Sequence, residues 1–321
     1  MFLPLLLLFT WLIGEAPVPR SRTFTFTYHV TVPAQPMGTA ALELWLPVPH
    51  SDASQDIRDL RVTTPVSYTL HTGAYGNQFL HLRASGAQLA GFQVMMQVRA
   101  TRREHLSLGR HSSPTRRESP DTNLNRWLAP DSLVPLDPQI RLWALEVVTK
   151  AQAKTDLEKA CAIYEHVVST VKYDKTGQGW GRGDIYYACD ARRGNCTDFH
   201  AVFIGYCRAL GIPARFSIGF PLPAERGTGE IKGYHCWAEF YTPQTGWVPI
   251  DASEAAKDPA RRQYFFGAHD ENRLEFTRGR DLLLSPRQHG PALNYFVYPY
   301  AEANGKPVSG LQTSFRFEDA L

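Results

Sequence analysis

The segment that decides the fold reads Gly-Asn-Cys-Thr-Asp-Phe-His over residues 194–200 and continues as an apolar-striped run to residue 210. Apolar side chains recur there at spacings of three and four, which predicts a helix with one buried face: Phe199, Val202, Phe203, Tyr206 and Leu210. The Gly-Ile-Pro at 211–213 ends this helix, because glycine caps its C-terminus and proline cannot continue its hydrogen bonds. Cys196 therefore lies at or near the first turn, where unpaired N–H groups and the helix dipole stabilise a thiolate and lower the pKa of the thiol.

A cysteine in that position is suited to nucleophilic attack, and its own backbone N–H is free to stabilise an oxyanion. The base would be His235, in the β-rich run 234–241, and Asp251 follows the next short strand. This set provides a thiolate to attack, an imidazole to move the proton and a carboxylate to fix the imidazole tautomer. His200 is the rival base, because it lies four residues after Cys196 on the same helix face. Asp198 is expected to be an early-turn acid that complements the helix dipole, rather than a member of the triad.

Three segments in this order resemble the transglutaminase-like superfamily, whose fold is related to that of papain. Residues 194–200, with the Arg-Ala-Leu-Gly-Ile-Pro-Ala-Arg at 208–215, resemble its nucleophile segment. The Tyr-His-Cys-Trp-Ala-Glu-Phe at 234–240 resembles its histidine segment, and the Trp-Val-Pro-Ile-Asp-Ala-Ser at 247–253 its aspartate segment. The cysteine and histidine are 39 residues apart and the histidine and aspartate 16, both ordinary spacings for the family. The resemblance covers about 127–285 and says little about the N-terminal third.

The resemblance implies an α+β domain, with helices packed on an antiparallel sheet, that performs acyl transfer through a thioester. In it Cys196 would be the nucleophile, His235 the acid and base, and Asp251 the group that orients the imidazole. The family also uses an aromatic or polar side chain upstream of the cysteine as a second oxyanion donor. Tyr173 and Trp180 both meet that description, and the sequence does not choose between them.

Release of the acyl group by water would make the protein a protease or amidase acting on protein or peptide substrates. Release by a lysine amine would make it a cross-linking transglutaminase. Resemblance to exported bacterial-type members, and a sequence without calcium-loop carboxylate clusters, favour hydrolysis. The alternative from another class is a non-catalytic binding or scaffold module that retains the fold, against which the intact triad argues.

The composition limits the other classes of function. A chain of 321 residues with 43% hydrophobic and 20% charged residues is an ordinary globular protein of about two domains. Its net charge of +3, with no basic stripe interleaved with aromatics, gives no reason to expect a nucleic-acid partner. No pair of cysteines has C-x-x-C spacing, so neither a zinc cluster nor a stable metal is expected, and no cofactor is required.

The five cysteines leave their pairing open. An odd number in an exported protein leaves one free thiol, consistent with the nucleophile and up to two disulfides. It is as consistent with four small buried apolar residues. These four are Cys161, Cys189, Cys207 and Cys236.

The chain divides by composition into four parts. Residues 1–20 open with an uncharged apolar run that is too short for a membrane span of about 20 residues but fits a signal peptide. The protein is therefore expected to be exported, periplasmic or secreted, with membrane contact only if this segment stays as an N-terminal anchor. Residues 21–103 alternate as short strands joined by turns, which predicts an antiparallel β-sandwich. Residues 104–126 form a polar linker, and 127–321 form the catalytic domain.

Several local signals in the catalytic domain are specific. Asp137 followed by proline, and the Thr155–Glu158 capping box, predict the starts of two helices. Residues 225–233 are expected to be a mobile hairpin loop, and polar turns are expected after Asp251.

Overall fold

The alternating run after the apolar start forms the first strand of the protein, and each of its apolar side chains is buried, as the alternation predicts. The structure, a computed structural model, describes residues 18–108 and 123–320. The expected signal peptide or anchor at 1–17 and the linker residues 109–122 lie outside the described residues. The strands of the N-terminal third are β1 (Ser21–Val32), β2 (Ala41–Val48), β3 (Gln55–Thr63), β4 (Tyr68–Thr72), β5 (Gln78–Ser85), β6 (Phe92–Arg103) and β7 (His105–Leu106).

A helical region follows and leads into a second set of strands. The helical region comprises α1 (Pro138–Lys150), α2 (Asp156–Thr170), β8 (Lys172–Tyr173), α3 (Ile185–Ala191), β9 (Arg193–Gly194) and α4 (Cys196–Ala209). The remainder comprises β10 (Ala214–Pro221), β11 (Thr228–Glu230), β12 (His235–Thr242), β13 (Gly246–Ile250), α5 (Ala252–Lys257), β14 (Ala268–His269), β15 (Arg273–Arg278), β16 (Tyr300–Ala303), β17 (Lys306–Pro307) and β18 (Gln312–Asp319). Helices packed on antiparallel strands, beside a sheet-rich N-terminal region, give the α+β class that the sequence predicts.

Three sheets carry the architecture. Two five-stranded sheets, in the orders β11-β18-β1-β6-β3 and β17-β16-β2-β5-β4, form the sandwich. A four-stranded antiparallel sheet, β13-β12-β10-β15, supports the helices. The short strands β7 and β14 pair with each other, as do β8 and β9.

The C-terminal strands complete the sandwich. The division by composition places residues 300–319 in the catalytic domain, whereas β18 pairs with β1 from Phe24 opposite Asp319 to Thr31 opposite Gln312, and β16 pairs with β2. The reason is that β1 and β2 would otherwise each leave an unpaired edge of N–H and C=O groups. In the structure the sandwich is therefore built from both ends of the chain.

The loop expected to be mobile at 225–233 is instead held by the sandwich. Its middle forms β11, which pairs with β18 through Thr228 opposite Glu318 to Glu230 opposite Arg316. This pairing fixes the segment that leads directly into β12 and His235.

The sandwich shares one apolar core with the four-stranded sheet β13-β12-β10-β15, which is named the catalytic sheet below because it leads to the predicted residues His235 and Asp251. The ring of Phe26 in β1 lies 5.2 Å from Phe220 in β10 and 5.5 Å from Phe276 in β15, measured between centroids. Tyr28 contacts Phe315 of β18 at 4.6 Å. The two regions therefore meet through aromatic packing, together with polar contacts such as the hydrogen bonds between Gln55 of β3 and the backbone of Glu275 in β15.

The helix starts follow the local signals. Asp137 accepts hydrogen bonds from the N–H groups of Gln139 and Ile140, and Thr155 and Glu158 form both bonds of a capping box. The turns expected after Asp251 are instead the helix α5, which Asp251 itself caps. No helix within the described residues is long and apolar enough to cross a membrane.

Helix α4 is more deeply buried than its apolar stripe indicates, since all of its residues are buried. Its polar residues find partners inside the protein. Arg208, for example, donates to the carbonyl oxygens of Ala214 and Ala129 and forms an ion pair with Asp131 at 2.8 Å. The helix that carries Cys196 is therefore central and surrounded on all sides.

Candidate active site

Cys196 is the first residue of α4, as the spacing predicts. Asn195 is the N-cap, and its side-chain oxygen accepts a hydrogen bond from the N–H of Thr197 at 2.9 Å. An N-cap of this type satisfies one of the unpaired donors of the first turn and fixes where the helix begins. Cys196 is only 2% exposed, so its thiol lies beneath the surface at the positive end of the helix dipole.

His235 and Asp251 are brought together by the catalytic sheet. Nε2 of His235, the first residue of β12, lies 2.7 Å from Oδ2 of Asp251, which follows β13. Asp251 Oδ1 accepts from the Ser253 hydroxyl and the Glu254 N–H, each at 3.1 Å, and Arg273 donates to Oδ2 at 3.1 Å. A buried carboxylate with this many partners is held in one orientation, and so is the imidazole that it binds.

The charges in the site favour a thiolate and an imidazolium. Burial opposes the charged form of Cys196, but hydrogen bonds from Cys236 and His235 and the charge of the His235 imidazole bring its pKa well below the ordinary value. Burial also opposes the charged form of His235 and so lowers its pKa, but the Asp251 carboxylate and the Cys196 sulfur outweigh this and raise the pKa of His235 to about 10. Since Nε2 of His235 is bonded to Asp251, the other ring nitrogen, Nδ1, is left for the thiolate.

His200, the rival base, lies in the same region with a different set of partners. Its Nε2 accepts from the N–H of Ala252 at 3.3 Å, and its Nδ1 lies 3.7 Å from the Cys236 sulfur. It is fully buried, and burial lowers its pKa, so the neutral ring is favoured. His200, a residue of α4, therefore faces β12 and α5. His235 is the histidine that makes the 2.7 Å bond to the Asp251 carboxylate.

Cys236 is a site residue that sequence reasoning missed. It is fully buried, and burial together with the neighbouring Cys196 raises the pKa of its thiol well above the ordinary value. Strand alternation assigns it to the face opposite His235. Both side chains nevertheless contact Cys196, because the N-terminus of α4 meets β12 at the end where the strand begins. All five cysteines are free thiols in the structure, so of the two alternatives that the sequence left open the structure has the one without disulfides.

Asp198 holds the glycine-rich loop before the nucleophile. Its carboxylate accepts from the N–H groups of Gly181 at 2.7 Å, Asn195 at 2.9 Å and Gly183 at 3.0 Å. Burial raises its pKa, and these three hydrogen bonds oppose the rise. Gly194 has no space for a side chain, because a Cβ there would overlap the Asp198 carboxylate. The acid expected to complement the helix dipole is therefore also the anchor of the loop.

The two oxyanion candidates differ in whether their donor is free. The indole N–H of Trp180 donates to the carbonyl oxygen of Gly177 at 3.2 Å, within its own loop. Tyr173 is half-buried and Lys257 lies 3.9 Å from its ring centroid. Burial and then the charge of Cys196 raise the pKa of Tyr173 to about 12, while the positive charge of Lys257 opposes the rise. Tyr173 therefore keeps its hydroxyl proton for another acceptor.

Tyr234 is a second residue that the sequence did not single out, although it directly precedes His235. Its hydroxyl oxygen accepts from the side-chain amide of Asn195 at 2.9 Å. Its hydrogen bond with Tyr295 favours the protonated phenol of Tyr234, and the Tyr295 hydroxyl lies 3.4 Å from the carbonyl oxygen of Gly181. Tyr234 thus uses its proton to connect the cap of α4 to the glycine-rich loop.

Comparison with known proteins finds a family match and two relatives. The model of the transglutaminase-like superfamily matches residues 143–252, a range that includes all three candidate triad residues. An uncharacterised protein of Haemophilus influenzae is 28% identical over 323 residues, covering 89% of this chain and 86% of that protein. The uncharacterised protein YebA of Bacillus subtilis is 27% identical over 81 residues, covering 22% of this chain and 11% of that protein.

One solved structure shares the whole fold. A candidate cysteine protease from Cytophaga hutchinsonii superposes with a TM-score of 0.59 at 15% identity, covering 94% of this chain and 98% of that chain. The likeness includes the sandwich as well as the catalytic region. Residues 143–252 thus match the transglutaminase-like superfamily, and the shared fold supports cysteine-based catalysis in general.

Proposed function

We propose that this protein is a cysteine peptidase or amidase that hydrolyses peptide or carboxamide bonds through a thioester. The observation that carries the proposal is the Cys196–His235–Asp251 arrangement: a thiol at the first turn of α4, next to an imidazole bonded at 2.7 Å to a buried carboxylate. A thiolate with a lowered pKa and an imidazolium with a raised one are the states that nucleophilic attack and leaving-group protonation need.

The proposed reaction runs in two halves. The Cys196 sulfur attacks the carbonyl carbon, and Nδ1 of His235 gives its proton to the leaving amine, which leaves a thioester on the cysteine. Water then attacks the thioester, His235 takes a proton from it, and the acid is released as the thiolate returns. Asp251 keeps Nε2 of the ring occupied in both halves and so fixes which nitrogen faces the sulfur.

The oxyanion formed in each half needs two donors. The backbone N–H of Cys196 is one, because it belongs to the first turn of α4. Tyr173 is the better supported of the two side-chain candidates, since its raised pKa keeps the hydroxyl protonated. The ammonium of Lys257, 3.9 Å from the centroid of the ring, also makes the phenol a stronger donor. Trp180 donates to Gly177 instead.

Access to the site supports water over an amine as the acyl acceptor. Cys196 is 2% exposed and His235 6% exposed, so only a small part of the reacting groups reaches the surface. A water molecule needs less space beside the acyl group than a lysine side chain of another protein does. We further propose that the protein acts outside the cytoplasm, on the strength of the uncharged apolar run at 1–14.

The reaction class is tested by mass spectrometry after incubating the protein with a mixture of peptides and a primary amine in water enriched in oxygen-18. Hydrolysis predicts cleaved peptides, or glutamine deamidated to glutamate, with heavy oxygen in the new carboxyl group. Amine conjugates as the main product would replace hydrolysis with cross-linking. No product at all, together with a Cys196 that does not react with thiol reagents, would favour the binding or scaffold module.

Variants separate chemistry from folding in the same assay. Cys196→Ala should abolish product formation. Tyr173→Phe removes only the hydroxyl and should lower kcat by about 100-fold with little change in KM, the effect of losing one oxyanion donor. Trp180→Phe is the matched control and should leave kcat within a few-fold of the parent. If Trp180→Phe has the larger effect on kcat, the second donor is misassigned.

A further inference from the structure

Two histidines and a glutamate meet at the junction between the sandwich and the catalytic sheet. His105 in β7 is directly opposite His269 in β14 in the antiparallel pair, and Glu239 reaches the same place from β12. One nitrogen of each ring and one oxygen of the carboxylate all lie within 4.8 Å of one another. Among the described residues this is the only group of three such side chains that converges so closely.

The protonation of His269 leaves a lone pair buried without a partner. Its Nε2 lies 3.0 Å from the carbonyl oxygen of Ile250, an acceptor only, so this nitrogen must carry the hydrogen. The other nitrogen, Nδ1, is therefore the one that can present a lone pair. That Nδ1 is buried and has no hydrogen-bond partner. A histidine whose second nitrogen is bonded to a backbone carbonyl is the usual form of a metal ligand.

Glu239 presents the matching carboxylate oxygen. Its Oε1 lies 3.2 Å from Nδ1 of His105, while its Oε2 is bonded to the guanidinium of Arg215. Arg215 thereby orients the carboxylate and leaves Oε1 pointing to the histidines. Ligands at 2.0–2.1 Å in a tetrahedral site are about 3.3 Å apart, and the oxygen and nitrogen are already at that separation.

We propose that His105, Glu239 and His269 bind a divalent transition-metal ion of the zinc class, with the fourth position open on the side of His105. Two imidazoles and a carboxylate suit Zn²⁺ and its neighbours better than Mg²⁺ or Ca²⁺, which prefer all-oxygen ligands. His105, whose side chain is 24% exposed, would bind the ion through Nδ1 and hold its hydrogen on Nε2. The guanidinium groups of Arg215 and Arg273 reduce the attraction for a cation, so binding is weaker than at a structural zinc site of four thiolates.

The three ligands are distinct from the candidate triad, and the proposed reaction does not require the ion. The cluster adjoins the triad, because His269 is bonded to the carbonyl oxygen of Ile250, next to Asp251. Glu239 and His235 lie four residues apart on β12, a distance of about 13 Å along a strand. The ion would fasten β7, where the chain leaves the sandwich, to β14 of the catalytic region. The expectation of no metal rested on cysteine spacing, and these three ligands come from segments far apart in the chain.

The test is a zinc titration of the full chain without an affinity tag, carrying Cys196→Ala so that the catalytic thiolate cannot bind the ion. Calorimetry should show one equivalent of Zn²⁺ bound, and Tm should rise with zinc concentration. Adding His105→Ala should remove that equivalent and the rise in Tm. His105 is partly exposed, so this variant should remain folded, which circular dichroism verifies.

His29→Ala is the matched control, since it removes a partly exposed histidine of β1 far from the cluster. It should keep the full equivalent. Co²⁺ serves as a second probe and should give the visible bands of a four-coordinate nitrogen and oxygen site. Zinc that stays bound in His105→Ala, or a parent protein that binds no zinc at a hundredfold excess, would overturn the proposal.

Discussion

The residues of the Cys196–His235 pair hold opposite charges only within a window of pH. The thiolate forms as pH rises through the lowered pKa of Cys196, and the imidazolium is lost as pH rises through about 10, the pKa of His235. Both groups are in the active form between these two values. The rate of hydrolysis should therefore follow a broad bell whose alkaline limb reports His235.

Labelling with iodoacetamide tests the pair without a substrate, because the reagent reacts with the thiolate. Cys196 should be labelled fastest near neutral pH, and its rate should persist below pH 7. His235→Ala should move the midpoint of the pH dependence to at least the ordinary cysteine value of about 8.5 and slow labelling at pH 7 by about 10-fold or more.

Cys161 is an internal control, since burial raises the pKa of this half-buried thiol. His200→Gln should change the labelling rate of Cys196 less than His235→Ala does, because His200 binds Ala252 and Cys236. Equal labelling of several cysteines, or a larger effect from His200, would show that the pair is wrongly assigned.

Cys236 makes a separate contribution to the thiolate. Its thiol keeps its proton because its pKa is raised well above the ordinary value, so it can donate to the Cys196 sulfur. A hydrogen bond to a charged group is worth about 1.5–3 kcal/mol, so Cys236→Ala should raise the pKa of Cys196 by about 1. Cys236→Ser keeps a hydrogen-bond donor, so the pKa of Cys196 in this variant should stay close to that of the parent protein. Cys207→Ala, a buried thiol elsewhere, should leave the pKa of Cys196 unchanged.

At the scale of elements, the start of α4 and the glycine-rich loop are joined by one carboxylate. Asp198→Asn turns an amide group towards the N–H groups of Gly181, Gly183 or Asn195, and leaves at least one of these donors unpaired. An unpaired buried donor costs about 1–3 kcal/mol, so the free energy of unfolding should fall by that amount. The loop should also loosen, seen as a shift in Trp180 fluorescence and faster proteolysis at 176–183.

Asp174→Asn is the control for this change. Asp174 lies near the same loop, and its carboxylate accepts from the N–H of Thr176 at 2.9 Å in an exposed position. Its loss should cost less than about 1 kcal/mol. If both variants lose the same stability and keep the same loop fluorescence, Asp198 is not the anchor.

At the scale of the whole molecule, Arg22 ties the two ends of the chain to the catalytic region. Its fully buried guanidinium is bonded to Asp319 in β18 through both carboxylate oxygens, and it donates to the carbonyl oxygens of Pro223 and Glu225. Pro223 and Glu225 lie at the start of the loop that carries β11 and leads to His235.

Arg22→Met should lower the free energy of unfolding by about 3 kcal/mol, because two carbonyls lose their donor and the Asp319 carboxylate loses its main ion pair, keeping the hydrogen bond from the Gly227 N–H. Urea denaturation measures the loss, and Arg99→Met, an exposed arginine of β6, is the control with an expected change below about 0.5 kcal/mol. Hydrolysis should also slow, because the segment before His235 loses its support. A variant as stable and active as Arg99→Met would show that the two ends are held by other contacts.

The sequence by itself determined the features that depend on neighbours along the chain. The caps at Asp137 and Thr155 and the start of α4 at Cys196 are local hydrogen-bond patterns, and the alternation of β1 follows from burial of one face. These predictions are confirmed. The catalytic roles of Cys196, His235 and Asp251 stay predictions, although the structure brings the three side chains to one place.

Only the tertiary structure decided which distant segments meet. Strand pairing uses backbone groups that nearly every residue has, so the sequence of β1 does not predict that β18 is its partner. The sequence of the loop at 225–233 likewise does not predict that its middle pairs with β18 as β11. The apolar stripe of α4 shows one buried face, but the burial of the opposite face depends on partners for Arg208 and His200 elsewhere. The contact between Cys196 and Cys236 and the meeting of two histidines with Glu239 likewise come from packing. The sequence determines which reactive side chains the protein has, whereas burial of the shared core determines which of these side chains lie next to one another.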